Sequence, residues 1–159
     1  MKYVRRRFKC DAREAKGHMP KARLPASLPR SFRFNETVGI DLVEVADPWG
    51  DKHIFLNMVC WGTLLQLFER VELNKASVVG NMFQESWIQY FGSPVTVIVD
   101  LGTEFTGTDF QDRCDRNGVF VHFCDSKAPW QNDRTERHGG MMKPIIEKAT
   151  YEFCPADVE

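Results

Sequence analysis

Two aspartates interrupt runs of the chain that otherwise read as buried strands. Asp41 sits within Val38-Gly39-Ile40-Asp41-Leu42-Val43, and Asp100 closes Val95-Thr96-Val97-Ile98-Val99-Asp100. A carboxylate in a buried strand is costly unless it is paired or neutralised, and a divalent cation is the commonest remedy. Glu136 follows Asp100 after thirty-five intervening residues. Convergence of these groups would create a hard-oxygen site suited to Mg²⁺ or Mn²⁺. Each also has a purely structural alternative. Asp41 could be satisfied by backbone donors, Asp100 could cap the turn before Gly102, and Glu136 could close a capping box with Asp133.

A length of 159 residues, 43% of them hydrophobic, with twelve Phe, supports one domain with a substantial core. The net charge of −1 conceals an asymmetry. Residues 1–33 carry eleven Lys and Arg against Asp11 and Glu14, whereas the rest carries ten against twenty acids. A basic arm beside an acidic body points to a polyanion partner near a metal-loaded site, with a plain basic linker as the alternative. No apolar run approaches ~18 residues, so no membrane span is expected. No signal-peptide core opens the chain. Five cysteines without a CxxC pair read as thiols in a reducing compartment.

Pro20, Pro25 and Pro29 break up the arm, which reads as a linker or the end of a preceding module. Strands are expected at Val38–Val45, Ile54–Cys60 and Leu64–Leu73, with a turn at Pro48-Trp49-Gly50-Asp51. Lys75–Tyr90 reads as an amphipathic helix whose apolar face runs from Val78 and Val79 through Phe83 and Trp87 to Tyr90. A strand to Asp100, a short helix over Phe105–Asn117 and a strand at Val119–Phe123 follow. Three strands joined by turns, then strand–helix alternation, predict a mixed α/β sheet flanked by helices. In such sheets sites gather at the carboxyl ends of strands, where Asp100 stands. Beyond Asn132, helical spacing of Met142, Ile145, Ile146, Ala149 and Phe153 competes with Gly139-Gly140 and Pro144. Either that helix kinks, or a second one starts with Pro144 at its first position.

These residues resemble the catalytic core of retroviral and long-terminal-repeat retrotransposon integrases, the gypsy-like group above all. The resemblance rests on Val38-Gly39-Ile40-Asp41, Asp100-Leu101-Gly102-Thr103-Glu104-Phe105, and Ala128-Pro129-Trp130-Gln131-Asn132 leading into Thr135-Glu136-Arg137-His138-Gly139. It covers residues from about 34 to 150. It implies a ribonuclease H-like fold with a five-stranded mixed sheet, and DNA 3′-end processing and strand transfer. It further implies that Asp41, Asp100 and Glu136 are catalytic and bind two Mg²⁺ or Mn²⁺ ions. Lys143, Arg137, His138, Gln131 and Asn132 are the implied DNA contacts. For Arg137 and His138 a solvated or capping role is the alternative. Glu104 reads as a structural hydrogen-bonding residue, and Trp61, Trp87 and Trp130 as packing residues. The implied partners are DNA ends and a target duplex, and the implied location is the nucleus.

The chain departs from that pattern in places. Family members begin with a His-His-Cys-Cys zinc module, but here Arg13 stands where the second thiolate of a pair with Cys10 belongs. One Cys and distant His18 cannot complete a tetrahedral site, so residues 1–33 are expected to be a remnant without structural zinc. Asp133 replaces a customary glycine, stiffening the preceding loop and adding negative charge near DNA. The core, 34–159, is expected to be incomplete at its carboxyl end, lacking later helices and with homo-oligomerisation weakened. A catalytically decayed nucleic-acid-binding fragment and a nuclease for RNA–DNA hybrids are the competing readings. The Ala-Pro-Trp-Gln-Asn block and the spacing of thirty-five favour integrase over the latter.

Overall fold

In the computed structural model, residues 33–47, 49–124 and 132–153 are described, with side chains described as far as Thr150. Strands β1 (Thr37–Ala46), β2 (Lys52–Cys60) and β3 (Gln66–Val71) form an antiparallel meander. The β1–β2 turn is organised by Asp47, whose Oδ1 accepts the amides of Trp49 (3.0 Å) and Asp51 (2.8 Å). Gly50 takes the left-handed conformation that this turn requires, at φ 92°. Its register pairs Val38 with Cys60 and Asp41 with Asn57.

The helical segment after β3 comprises α1 (Ala76–Phe83), a π-helical stretch (Gln84–Ile88) and a last turn, α2 (Gln89–Phe91). The π stretch shifts the phase of the apolar face, which the regular spacing could not reveal. Phe91 therefore continues that face, its ring 5.1 Å from that of Trp87, while Tyr90 is 74% exposed. Strand β4 (Thr96–Val99) inserts parallel to β1, and β5 (Phe120–Phe123) lies parallel to β4. The single helix expected over Phe105–Asn117 is two, α3 (Thr103–Thr106) and α4 (Thr108–Arg116), broken at Gly107. The Gly107 backbone is extended, at φ −65° and ψ 144°.

The sheet order is β3-β2-β1-β4-β5. Alternation along β1 and β2 sends Val38, Ile40, Leu56 and Met58 to one face, where they pack with Phe83, Trp87 and Phe110. The opposite face, carrying Gly39, Asp41 and Asn57, receives α5 (Asp133–Phe153). This helix is continuous, so no second helix starts at Pro144. The cost of an interior proline falls on the Gly140 carbonyl, which loses its amide donor at an exposed position where water can replace it. Ile145 belongs to the expected apolar set yet is 57% exposed. The anticipated basic arm falls almost wholly outside the described residues. Among the described residues no helix is long and apolar enough to cross a membrane.

Asn35 ties the end of α2 to the start of β1. Its Nδ2 donates to the carbonyls of Phe91 (2.9 Å) and Gly92 (3.0 Å), and its Oδ1 accepts the Trp87 indole N–H (2.8 Å). Its backbone sits in the left-handed region, at φ 60°, which asparagine tolerates well. Asn35→Ala is expected to destabilise the fold by about 2–3 kcal/mol, because it orphans the buried Trp87 donor as well as breaking a helix cap. Urea denaturation followed by tryptophan fluorescence measures this.

Candidate functional site

The backbone ladder itself brings the two aspartates together. Gly39 pairs with Ile98 across the parallel β1–β4 ladder, so two residues further along both strands stand Asp41 and Asp100. Both lie on the α5 side of the sheet by alternation. Asp41 is half-buried within β1, while Asp100 is exposed just past the carboxyl end of β4. One Asp100 oxygen accepts the Gly102 amide (3.0 Å), so the turn-capping role and proximity to Asp41 coexist.

Helix α5 supplies Glu136 from its first turn, where the Glu136 amide donates to the Asn132 carbonyl (3.0 Å). Thr135, the residue before it, is fully buried and packed against the sheet. The Trp61 indole N–H donates to Thr135 Oγ1 (3.2 Å), and Asn57 Nδ2 donates to the Thr135 carbonyl (2.9 Å). Arg134 donates to the Trp61 carbonyl (2.6 Å) with its guanidinium over the Trp61 ring. Two glycines permit this close seating. A Cβ at Gly39 would lie 1.8 Å from Thr135 Oγ1, and one at Gly139 would lie 2.8 Å from Val43 Cγ2.

The site's electrostatics follow from that geometry. Burial, then the charges of Asp100 and Glu136, push the Asp41 carboxyl up to about 7. Glu104 adds a smaller contribution of the same sign. Its carboxylate folds back over Gly102, where a Cβ would meet Glu104 Oε1 at 2.6 Å. Among the described residues no lysine or arginine forms an ion pair with Asp41 or Asp100. Cys124, buried beside the same carboxylates, is held at about 11 by burial and by the charges of Asp100 and Glu136. The donor chemistry, all hard carboxylate oxygen with mutual repulsion felt at Asp41, fits a divalent cation. As the side chains stand, no group of three or more His, Cys, Asp or Glu among the described residues is drawn close enough to hold a metal.

The remaining expected site residues are distributed unevenly. Lys143 is exposed on the same uninterrupted helix as Glu136, two turns further on. Arg137 is held by Asp133 in an i,i+4 ion pair on that helix. His138 is half-buried, and burial together with Arg134 and Arg137 lowers its pKa, leaving it neutral at pH 7. Asn132 is buried, with an Oδ1 that meets no hydrogen-bond partner among the described residues. Gln131 and Trp130 lie outside the described residues. Sequence reasoning passed over Asn57 and the proximity of Glu104 to Asp41. A signal for Asn57 did exist, since it is the polar interruption in Ile54-Phe55-Leu56-Asn57-Met58-Val59.

Sheet order, mixed strand direction and flanking helices define the ribonuclease H-like fold of integrase catalytic cores, as the resemblance implied. Solved retroviral structures share it. A chain of the simian T-cell lymphotropic virus intasome in complex with PP2A regulatory subunit B56 gamma superposes with a TM-score of 0.75 at 15% identity. That match covers 88% of this chain but only 50% of the viral one, so the present chain spans half its length. The HTLV-2 integrase catalytic core in complex with magnesium, in its trimeric form, gives 0.67 at 17% identity, covering 80% and 79% of the two chains. The BIV integrase catalytic core gives 0.61 at 16%, covering 77% and 75%. No protein-family model and no curated protein sequence matches the chain.

The raised Asp41 pKa carries a definite sign. The folded state holds a proton at Asp41 up to pH about 7, whereas the unfolded state releases it near 3.8. Metal-free stability should therefore fall as pH rises between those values, by on the order of 2–4 kcal/mol in total. Asp41→Asn is expected to flatten that dependence and to be the more stable protein at pH 7. Denaturant titrations in chelator across this pH range provide the measurement.

Proposed function

We propose that this chain is the catalytic core of a retroelement integrase, a metal-dependent polynucleotidyl transferase that processes and joins DNA 3′ ends. The observation that carries the proposal is the convergence of Asp41 and Asp100, fixed by the β1–β4 register, with Glu136 from α5, inside an integrase-core fold. Carboxylates whose charges raise the proton affinity of Asp41 are poorly explained as structural groups. They are well explained as ligands for a divalent cation.

Asp41, Asp100 and Glu136 would hold two Mg²⁺ or Mn²⁺ ions. Bound there, such ions supply Lewis-acid activation and charge neutralisation for in-line phosphoryl transfer. The chain's own contribution is positioning. Asp41 is fixed mid-strand, Asp100 is held by the Gly102 amide, and Glu136 is set by the docking of Thr135. Side-chain rotation at exposed Asp100 and Glu136 is the movement that would close the group.

On the DNA side, Lys143 is the cation on the Glu136 helix best presented to a phosphate backbone, and the element ends and a target duplex are the proposed partners. The pairing of Arg137 with Asp133 and the neutrality of His138 make both weaker phosphate ligands than Lys143. The engagement of Arg137 by Asp133 favours, as a second reading, a DNA-binding descendant in which strand transfer has decayed. The nucleus is the proposed site of action, and self-association the proposed assembly, as for the HTLV-2 core solved in trimeric and dimeric forms.

Calorimetric titration of Mg²⁺ and Mn²⁺ into the chain, beside an Asp41→Asn/Asp100→Asn variant, tests the metal site. Saturable heat in the parent that the variant loses is the expected result, followed by strand transfer with paired DNA ends. Metal binding unchanged in the variant, or none at all, would sink the proposal, whereas binding without strand transfer supports the decayed reading. Lys143→Glu is expected to weaken DNA-end binding ~3–10-fold and to lower its salt slope by about one. Fluorescence anisotropy at several salt concentrations reads both.

A further inference from the structure

Asn57 is a fully buried polar residue in the middle of a strand whose neighbours, Leu56 and Met58, are core residues. It stands directly across from Asp41 in the β1–β2 register. Its side chain is engaged at both ends. Nδ2 donates to the Thr135 carbonyl (2.9 Å), and Oδ1 accepts Gln66 Nε2 from β3 (2.7 Å). The same amide nitrogen lies 3.1 Å from where a Cβ on Gly139 would be, so it abuts α5 one turn beyond its first contact. A valine would fill this strand position with less desolvation, and burying a hydrogen-bonded amide gains little net stability over a well-packed apolar side chain. What the amide adds is direction, because it accepts only one height and rotation of α5 on the sheet.

We infer that Asn57 is a positioning residue for Glu136, holding the third carboxylate at its distance from the Asp41–Asp100 pair. The inference rests on the metal-binding reading above and deepens it. Asn57 touches no reacting group. It acts through the peptide carbonyl of Thr135, immediately before Glu136, and the Trp61 indole braces the same residue through its hydroxyl. The residue opposite one carboxylate in the sheet is thus bonded to the residue beside another on the helix.

The test is a double-mutant cycle read by Mn²⁺ affinity in calorimetry, on wild type, Asn57→Val, Glu136→Gln and the double variant. Near-UV circular dichroism and thermal melts show that each is folded. Asn57→Val is expected to weaken Mn²⁺ binding ~10-fold or more, the scale set by residues that orient metal ligands. Glu136→Gln should then cost ~10-fold in wild type but less than ~2-fold in the Asn57→Val background, a coupling that general loosening of the fold does not produce. If Asn57→Val does not fold, Trp61→Phe, which keeps an aromatic ring and removes the donor to Thr135, should weaken binding in the same direction with the same non-additivity. Equal costs of Glu136→Gln in both backgrounds overturn the inference. Asp41-dependent binding that is indifferent to Asn57 overturns this inference alone, whereas Mn²⁺ uptake independent of Asp41 overturns it together with the metal-site reading.

Discussion

The seating of α5 on the sheet through Thr135 is the interaction on which the rest of this structure depends. Without it, β1 and β4 would still present two aspartates, but the third carboxylate would have no defined position. The contact combines a backbone carbonyl, a hydroxyl and an arginine with partners on β2 and the turn that follows it. It is possible only because Gly39 presents no side chain where Thr135 enters. Steric absence on the strand and hydrogen-bonding chemistry on the helix are two halves of one joint.

The joint brings Glu136 close enough to Asp41 and Asp100 for its charge to be felt at Asp41. Asp41 carries the consequence in its proton affinity, and Cys124 carries it on the neighbouring strand end. In an ordinary core such repulsion would be a defect. Here it sits at the carboxyl end of a parallel strand pair, where α/β proteins place their ligands, and beside an exposed helix face bearing Lys143.

Much of this was legible in the sequence, for identifiable reasons. The strands announced themselves through β-branched runs, and the carboxylates stood out because they interrupted those runs. The thirty-five-residue interval and the blocks around it then pointed to the fold. What escaped was what periodicity cannot encode. A π-helical stretch changes the phase of the face, so Phe91 and not Tyr90 completes it. Pro144 argues for a kink or a second helix, yet α5 runs on through it, with the Gly140 carbonyl exposed to water. Asn57 was visible only as one polar residue among apolar ones, and its meaning required knowing that Thr135 lies above it. Glu104 belongs to the same class, since its nearness to Asp41 arises from a turn between a strand and a short helix.

The parallel pairing of β1 with β4 has a further consequence, for the order of assembly. The β1–β2–β3 meander is built from near neighbours in the chain, whereas the β1–β4 ladder joins Thr37 to Thr96. The α5 joint reaches further still, from Asn57 to Thr135. Contacts of such separation carry the largest loop-closure cost and reward the chain only when both ends are already organised. A partly folded form holding the meander alone would own a single carboxylate of the three. The acidic cluster is therefore a property of the completed fold, absent from any shorter-range intermediate, and its repulsion is incurred only once the whole sheet is there to bear it.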